Sequence, residues 1–243
     1  IKTQATLEGE EYVLNGLKSY VSNAPIADVF VIYATTNPSY GHMGISAFVV
    51  EKEKAGIVIG EPFETMGLNS SLISTVEFKD CRVPKSHRIG EEGKGTNIFA
   101  KSMEWERSCL FATYVGMMER QLETTINHAS KRKQFRKTIG KNQAISHRIV
   151  DMKLRLEAAR LLIYRACWLM DRGEDAVMEV SLAKLAVSEA AIQSSLDAIQ
   201  IHAGRGYLTQ IGIEQNLRDA VPSTIFSGTS EIQRDLVAKK LGL

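Results

Sequence analysis

Cysteine is scarce in this sequence. Cys81, Cys109 and Cys167 are odd in number, scattered, and without metal-ligand spacing. They argue against a disulfide framework and a cysteine metal centre, and read as free thiols of a reducing compartment. No apolar run approaches the roughly 18 residues that a membrane-spanning helix needs, and no signal peptide opens the chain. An excess of one charge is missing too. Thirty Lys and Arg against 28 Asp and Glu leave a net charge of +2, which argues against nucleic acid or a strongly acidic partner. Internal repeats and low-complexity segments are absent. The sequence has no initiator Met and opens in strand-like residues, as a fragment would. What is present, 44% hydrophobic and 24% charged residues, is the make-up of an ordinary globular protein. The length allows one large domain or two modest ones.

The two halves differ in period. Residues 1–94 carry short β runs: Tyr12 to Leu14, Val29 to Tyr33, Ile45 to Val50, Ile57 to Ile59 and Ser74 to Phe78. Turn residues at Gly9, Asn15-Gly16, Asn37-Pro38 and Gly56 separate them. This spacing predicts a small antiparallel sandwich or barrel. Residues 95–243 are helical in period. Ile149, Met152, Leu156, Ala159, Ile163, Ala166 and Met170 recur at steps of three and four, which makes one apolar stripe. Leu182, Leu185, Ile192, Leu196 and Ile199 predict a second stripe, and residues 97–129 a third long helix. Ser230-Glu231-Ile232-Gln233 fits a capping box and predicts the start of the last helix. The expected fold is α+β, a small β domain followed by an antiparallel four-helix bundle.

Chemistry enters near the C-terminus. Arg218-Asp219-Ala220, then Phe226-Ser227-Gly228-Thr229-Ser230-Glu231-Ile232-Gln233-Arg234, resembles the closing signature of the acyl-CoA dehydrogenase family. There a Glu-Gly-Thr-Ser loop opens the last helix. The resemblance covers nearly the whole chain. Residues 1–94 are similar to the family's middle β domain, and residues 95–243 to its C-terminal helical domain. The family's N-terminal helical domain has no counterpart here, nor has its Thr-Glu-Pro-x-x-Gly-Ser-Asp flavin segment.

The resemblance implies FAD as cofactor and assigns its contacts. Lys18-Ser19-Tyr20-Val21-Ser22-Asn23 is similar to a Lys-x-Trp-Ile-Thr-Asn strand, so Tyr20 and Ser22 would stand at the flavin ring; two residues apart, they share a strand face. Arg132 to Gln143 resembles Arg-x-x-Phe-Gly ending in Gln. Arg132 would grip the diphosphate, Phe135 pack by the flavin and Gln143 bond the cofactor. In the family this segment serves the neighbouring subunit, which implies a homodimer or homotetramer. Arg136 replaces a Gly, which strains the chain if that position needs positive φ. Gln200-Ile201-His202-Ala203-Gly204-Arg205-Gly206 resembles a Gln-x-x-Gly-Gly-x-Gly element in which Gln200 and Gly204 meet the diphosphate. Ala203 for the first Gly reads as a mild departure, and His202 as packing. Thr229 and Glu231 would sit near the adenosine half. Each element also has a plain reading: a half-buried strand, a solvated basic turn, a glycine C-cap, a first-turn acid.

In many members the loop Glu removes the substrate α-proton, and here Ser227 holds its place. A minority carry the base on an early helix, and Met103-Glu104-Trp105-Glu106-Arg107 matches that pattern. The resemblance therefore implies Glu106 as base and Glu104 near the acyl-chain end of the pocket. Arg107 would lie beside the base or its loop, with Gly228 at the substrate. Glu104 and Glu106 are about 200° apart on a helix, so only one can face the flavin. The plain alternative is a pair of surface residues. The chemistry takes a proton from the α carbon and a hydride from the β carbon of a thioester. A carboxylate for that purpose needs burial to raise its pKa, yet ionisation when substrate is bound.

The implied function is FAD-dependent dehydrogenation of an acyl-CoA. Behind it stands a biosynthetic dehydrogenase of carrier-protein-tethered acyl or aminoacyl groups, which the Met-Glu-Trp-Glu-Arg pattern also resembles. A flavin monooxygenase of the same fold would need no such base. A non-catalytic assembly or nucleic-acid-binding paralogue would rest on the basic 131–141 run. The implied acceptor is an electron-transfer flavoprotein or an equivalent. The implied compartment is a bacterial cytoplasm or a mitochondrial matrix.

Overall fold

A computed structural model describes residues 1–243. It divides into two compact units, Ile1–Ser102 and Met103–Leu243. The first holds β1 (Gln4–Glu8), β2 (Glu11–Ser22), β3 (Val29–Thr35), β4 (Ile45–Glu51), β5 (Ile57–Ile59), β6 (Ile73–Pro84) and β7 (Arg88–Ile89). They form one sheet in the order β5-β6-β2-β1-β3-β4-β7. The β1–β2 hairpin turns on Gly9 at φ 64, which leaves Glu8 opposite Glu11. Alternate residues Tyr12, Leu14, Phe30, Ile32, Phe48, Val50, Val76 and Phe78 fill one core, as period-two patterning requires. The sheet is not wholly antiparallel: β1 and β3 pair in parallel at Gln4 and Thr35. The second edge of β2 is taken by β6, so the chain leaving β2 re-enters beside β1.

Helix α1 (Gly95–Lys131) runs into the second unit. There a hairpin, β8 (Lys133–Gln134) and β9 (Lys137–Thr138), precedes α2 (Gln143–Asp171), α3 (Val177–His202), α4 (Ile213–Ala220) and α5 (Ser230–Lys240). The α2 stripe is inward: Met152, Leu156, Ala159, Ile163 and Ala166 are buried. Gly173, at φ 71, stops that helix in the left-handed region where glycine is cheapest. No helix is long and apolar enough to cross a membrane.

Two expectations need correction. The buried face of α3 is not the Leu182–Ile199 stripe. It is Val180, Ala183, Val187, Ala191, Ala198 and Ile201, while Leu196 is exposed. Helix α3 packs against α2, α4 and α5. With neighbours on several sides, small side chains allow the close approach, and the leucines fall to the margins. The last helix is capped by Thr229, not Ser230. The Thr229 hydroxyl accepts from the Ile232 amide at 3.4 Å, because Gln233 is drawn to the loop carbonyls instead.

Candidate active site

Helix α1 carries Glu106 and Arg107, and the chain leading into α5 carries Ser227 and Gly228. The Ser227 hydroxyl donates to a Glu106 carboxylate oxygen. Arg107 Nε donates to the Ser227 carbonyl at 2.8 Å. Gln233 Nε2 donates to the carbonyls of Ser227 at 3.3 Å and Gly228 at 3.0 Å. The loop is thus pinned from α1 and from α5. Gly228 sits at φ 89, and a Cβ there would lie 2.9 Å from the Gln233 amide nitrogen and 3.3 Å from Arg107. The positive φ favours glycine, and any side chain there would also have to displace the ends of Gln233 and Arg107. Ser227 itself takes φ 55, a conformation that costs roughly 1–2 kcal/mol for an L-residue; the bonds to Arg107 and Gln233 hold it there. Burial pushes the Arg107 guanidinium below its usual range, and Glu106 and Glu104 pull the other way. It stays a cation at neutral pH.

Glu104 is half-buried, whereas Glu106 is exposed. This corrects the expectation of a base already sunk in low dielectric. Trp105 lines an apolar cavity of about 380 Å³ with Cys109, Cys167 and Trp168.

In the first unit, Tyr20 and Ser22 are both exposed and Val21 between them is half-buried. Their display does not come from a regular pleat. Tyr20 takes φ 58, and the β2–β6 register shifts between Lys18 and Val21. The bulge throws the Tyr20 ring outward, 79% exposed, 5.7 Å from the Phe63 ring.

Arg132, Phe135 and Gln143 lie between α1 and the start of α2. Phe135 and Arg136 are the two turn residues of the β8–β9 hairpin, at φ 51 and 64, the geometry that normally selects Asn-Gly. Phe135 stands 87% exposed at the tip. Helix α3 ends in a matching strain. Ala203 takes φ 52 and ψ −134, a glycine region, so its departure from Gly is more than mild. Gly206 is required sterically, since a Cβ would come 2.5 Å from the Ile199 carbonyl, whereas Gly204 has open space around it.

These helix ends enclose a cavity of about 410 Å³ lined by His128, Lys131, Arg132, His202 and Arg205, with no acid among its residues. The His128 and His202 rings stack at 4.2 Å, and His202 Nδ1 meets the Ala198 carbonyl at 2.8 Å. Burial first, then His202, Arg205 and Arg132, push His128 below the ordinary imidazole range. Gln143, Gln200 and Gly204 are exposed but do not line this cavity. Thr229 and Glu231 occupy the start of α5. The Glu231 carboxyl is held below its usual range by its own backbone N–H and by Thr229, as a first-turn acid is.

Residues 93–242 match the acyl-CoA dehydrogenase C-terminal domain, and residues 1–81 the acyl-CoA dehydrogenase middle domain. The chain belongs to the acyl-CoA dehydrogenase family. It is 55% identical over 232 residues to an L-prolyl-[peptidyl-carrier protein] dehydrogenase of Pseudomonas fluorescens, covering 96% of this chain and 61% of that protein. A Serratia protein of the same description is 49% identical, covering 99% and 63%. An FAD complex of PigA superposes with a TM-score of 0.98 at 48% identity, covering 100% of this chain and 63% of that one. The chain therefore spans a little under two thirds of the length of these relatives.

The residues present fit the acyl-CoA dehydrogenase cofactor. Three of the five basic groups in the 410 Å³ cavity, Lys131, Arg132 and Arg205, form no ion pair within the chain. A dinucleotide's diphosphate is the natural counter-charge for such a set. The sequence motifs singled out Arg132 and not Lys131, His128 or Arg205, and all four line this cavity. The signal was available, since two basic helix ends each precede a glycine-like turn. The motifs also missed Gln233, which the capping-box pattern had claimed.

Proposed function

We propose that this chain forms part of an FAD-dependent dehydrogenase acting on an aminoacyl thioester held on a carrier protein, a prolyl thioester in the first instance. The carrier-protein reading takes precedence over free acyl-CoA because relatives at 55% and 49% identity carry that description. The observation that carries the catalytic part is the hydrogen bond from Ser227 to Glu106. The carboxylate that replaces the commoner loop Glu is held by the residue standing in that Glu's place. Glu106 takes the α-proton, Ser227 orients its oxygen, and Arg107 fixes the loop that carries Ser227. Arg132, Lys131 and Arg205 bind the diphosphate. Bound FAD supplies the hydride acceptor. The exposed Phe135 on a strained, basic hairpin supports a homo-oligomer in which this tip reaches a second subunit. An electron-transfer flavoprotein or equivalent serves as acceptor.

The test is anaerobic flavin bleaching by the full-length protein, offered prolyl-carrier protein, prolyl-CoA and straight-chain acyl-CoAs. Bleaching by the prolyl-carrier thioester ahead of the others is expected. Bleaching by straight-chain acyl-CoAs alone would return the reading to fatty-acyl substrates, and NADH-driven oxygen chemistry without bleaching would favour a monooxygenase.

A further inference from the structure

Lys184 lies on the inward face of α3 and is fully buried. A lysine there is costly, and its Nζ has no hydrogen-bond partner. Two paths lead from it to the Ser227 loop. The first is aromatic. The amine is 5.4 Å from the Phe111 ring centroid, within cation–π reach. Phe111 packs on Phe226 at 5.7 Å, and Phe226 precedes Ser227 in the chain. The second is polar. Helix α3 packs against α5, where Gln233 is fully buried. Its amide nitrogen is spent on the Ser227 and Gly228 carbonyls, while its Oε1 and the buried Ser230 hydroxyl have no partner. An ammonium with three donors and no acceptor thus stands on the helix that packs against the one carrying an amide oxygen and a hydroxyl able to accept.

We propose that Lys184 is a positioning residue: its amine holds Phe226 through Phe111, and Gln233 through a water-mediated hydrogen bond, and so sets the loop that brings Ser227 to Glu106. The consequence for catalysis rests on the reading of Glu106 as base; the positioning itself does not. The charged groups around the amine are Arg107 on α1, Glu231 on α5 and Glu189 on α3. Burial, then Arg107, lower its pKa to about 8, and the two glutamates oppose this. The amine is therefore charged at neutral pH and loses its proton in mild alkali, where both its hydrogen bond and its hold on the Phe111 ring weaken.

Hydrogen–deuterium exchange of the Phe226–Gln233 amides tests this in the full-length protein at about pH 7 and about pH 9.5, either side of that titration. The comparison is wild type against Lys184→Met, which keeps length and removes the amine. The Met side chain keeps the packing volume, and a thermal melt verifies that the variant folds. At pH 7 the wild-type segment should exchange about tenfold more slowly than the variant's, the equivalent of one hydrogen bond. The two should converge at pH 9.5. Comparison at equal pH cancels intrinsic base catalysis. Equal protection at both pH values overturns the proposal. A difference that persists unchanged at pH 9.5 overturns it too, since apolar packing would then be the cause. The exchange readout involves no turnover, so it stands whichever thioester is the substrate. Anaerobic flavin reduction with the accepted thioester supplies the catalytic arm, with kcat falling about tenfold and KM held within about twofold. A disordered loop with unchanged kcat would sink Glu106 as base and leave Lys184 as its positioner.

Discussion

Glu106→Gln removes the proton acceptor and keeps both size and a hydrogen-bond acceptor for Ser227. General-base catalysis typically contributes 10²–10⁴-fold, or about 3–5 kcal/mol at roughly 1.4 kcal/mol per tenfold. The single-turnover rate of flavin reduction should fall by that factor, with flavin content and melting temperature unchanged. The geometry also sets the size of a rescue. The Ser227 hydroxyl already reaches the Glu106 carboxylate, so a glutamate at 227 can place its own carboxylate in the same space. Ser227 is at φ 55, and Arg107 and Gln233 hold the backbone on either side of its carbonyl. The longer side chain therefore has a fixed origin and little freedom to adjust. The double variant Glu106→Gln with Ser227→Glu should recover part of the loss, and a misplacement of about an ångström should keep it roughly 10²-fold below wild type. Ser227→Glu alone puts two carboxylates in contact, one of which must stay protonated, and it should be slower than wild type. Stopped-flow flavin absorbance under anaerobic conditions measures all three. Near-normal reduction by Glu106→Gln alone would refute the assignment.

Much of the fold was legible in the sequence because period and punctuation were strong. The α2 stripe from Met152 to Ala166 was visible at steps of three and four, and those residues are buried. The α3 stripe misled for a physical reason. A helix with neighbours on several sides hides small residues, and a pattern of large apolar side chains points to its margins. The parallel β1–β3 pair was not legible either, since it follows from which edge of β2 was free, a non-local fact. Of the residues the motifs named, Ser227 is hydrogen-bonded to both Glu106 and Arg107. Backbone strain was foreshadowed by a motif at Arg136, where the family pattern has Gly, and not at Tyr20, Phe135 or Ser227. Tyr20, Phe135, Arg136, Ala203 and Ser227 all occupy positive φ without being glycine, and every one lies in a segment singled out for cofactor or substrate. A strained backbone persists where surrounding structure over-determines it, and that surrounding structure is invisible in a string of residue types. No motif pointed to Lys184; of the buried charges of α3, Glu179 and Asp197 meet arginines, whereas the Lys184 amine has no hydrogen-bond partner.

The other expectations concern cofactor and stability. Arg132→Ala should weaken FAD retention of the full-length protein by roughly ten- to a hundredfold, the worth of a charge-assisted phosphate contact. Its melting temperature without FAD should be unchanged, and an active, flavin-loaded monomer would refute the cross-subunit role of that segment. Ala203→Gly relieves a backbone conformation that an L-residue resists, at a position whose side chain is exposed. A gain of roughly 0.5–1 kcal/mol, or about 2–4 °C per kcal/mol, should appear by calorimetry, and a loss would mean that the methyl group packs against something. The last expectation is a pH dependence at the basic cavity. Burial and its cationic neighbours hold His128 below the ordinary imidazole range. Between its folded pKa and the unfolded value of about 6.5 the unfolded chain binds the extra proton, so stability rises with pH across that window. Acidification through pH 6.5 should therefore lower the urea midpoint until the folded-state pKa is passed, and His128→Asn should flatten that segment of the curve. A slope of the opposite sign removed by the same substitution would mean that His128 is stabilised as a cation, which would place an unseen anion among Arg132, Arg205 and the histidine pair.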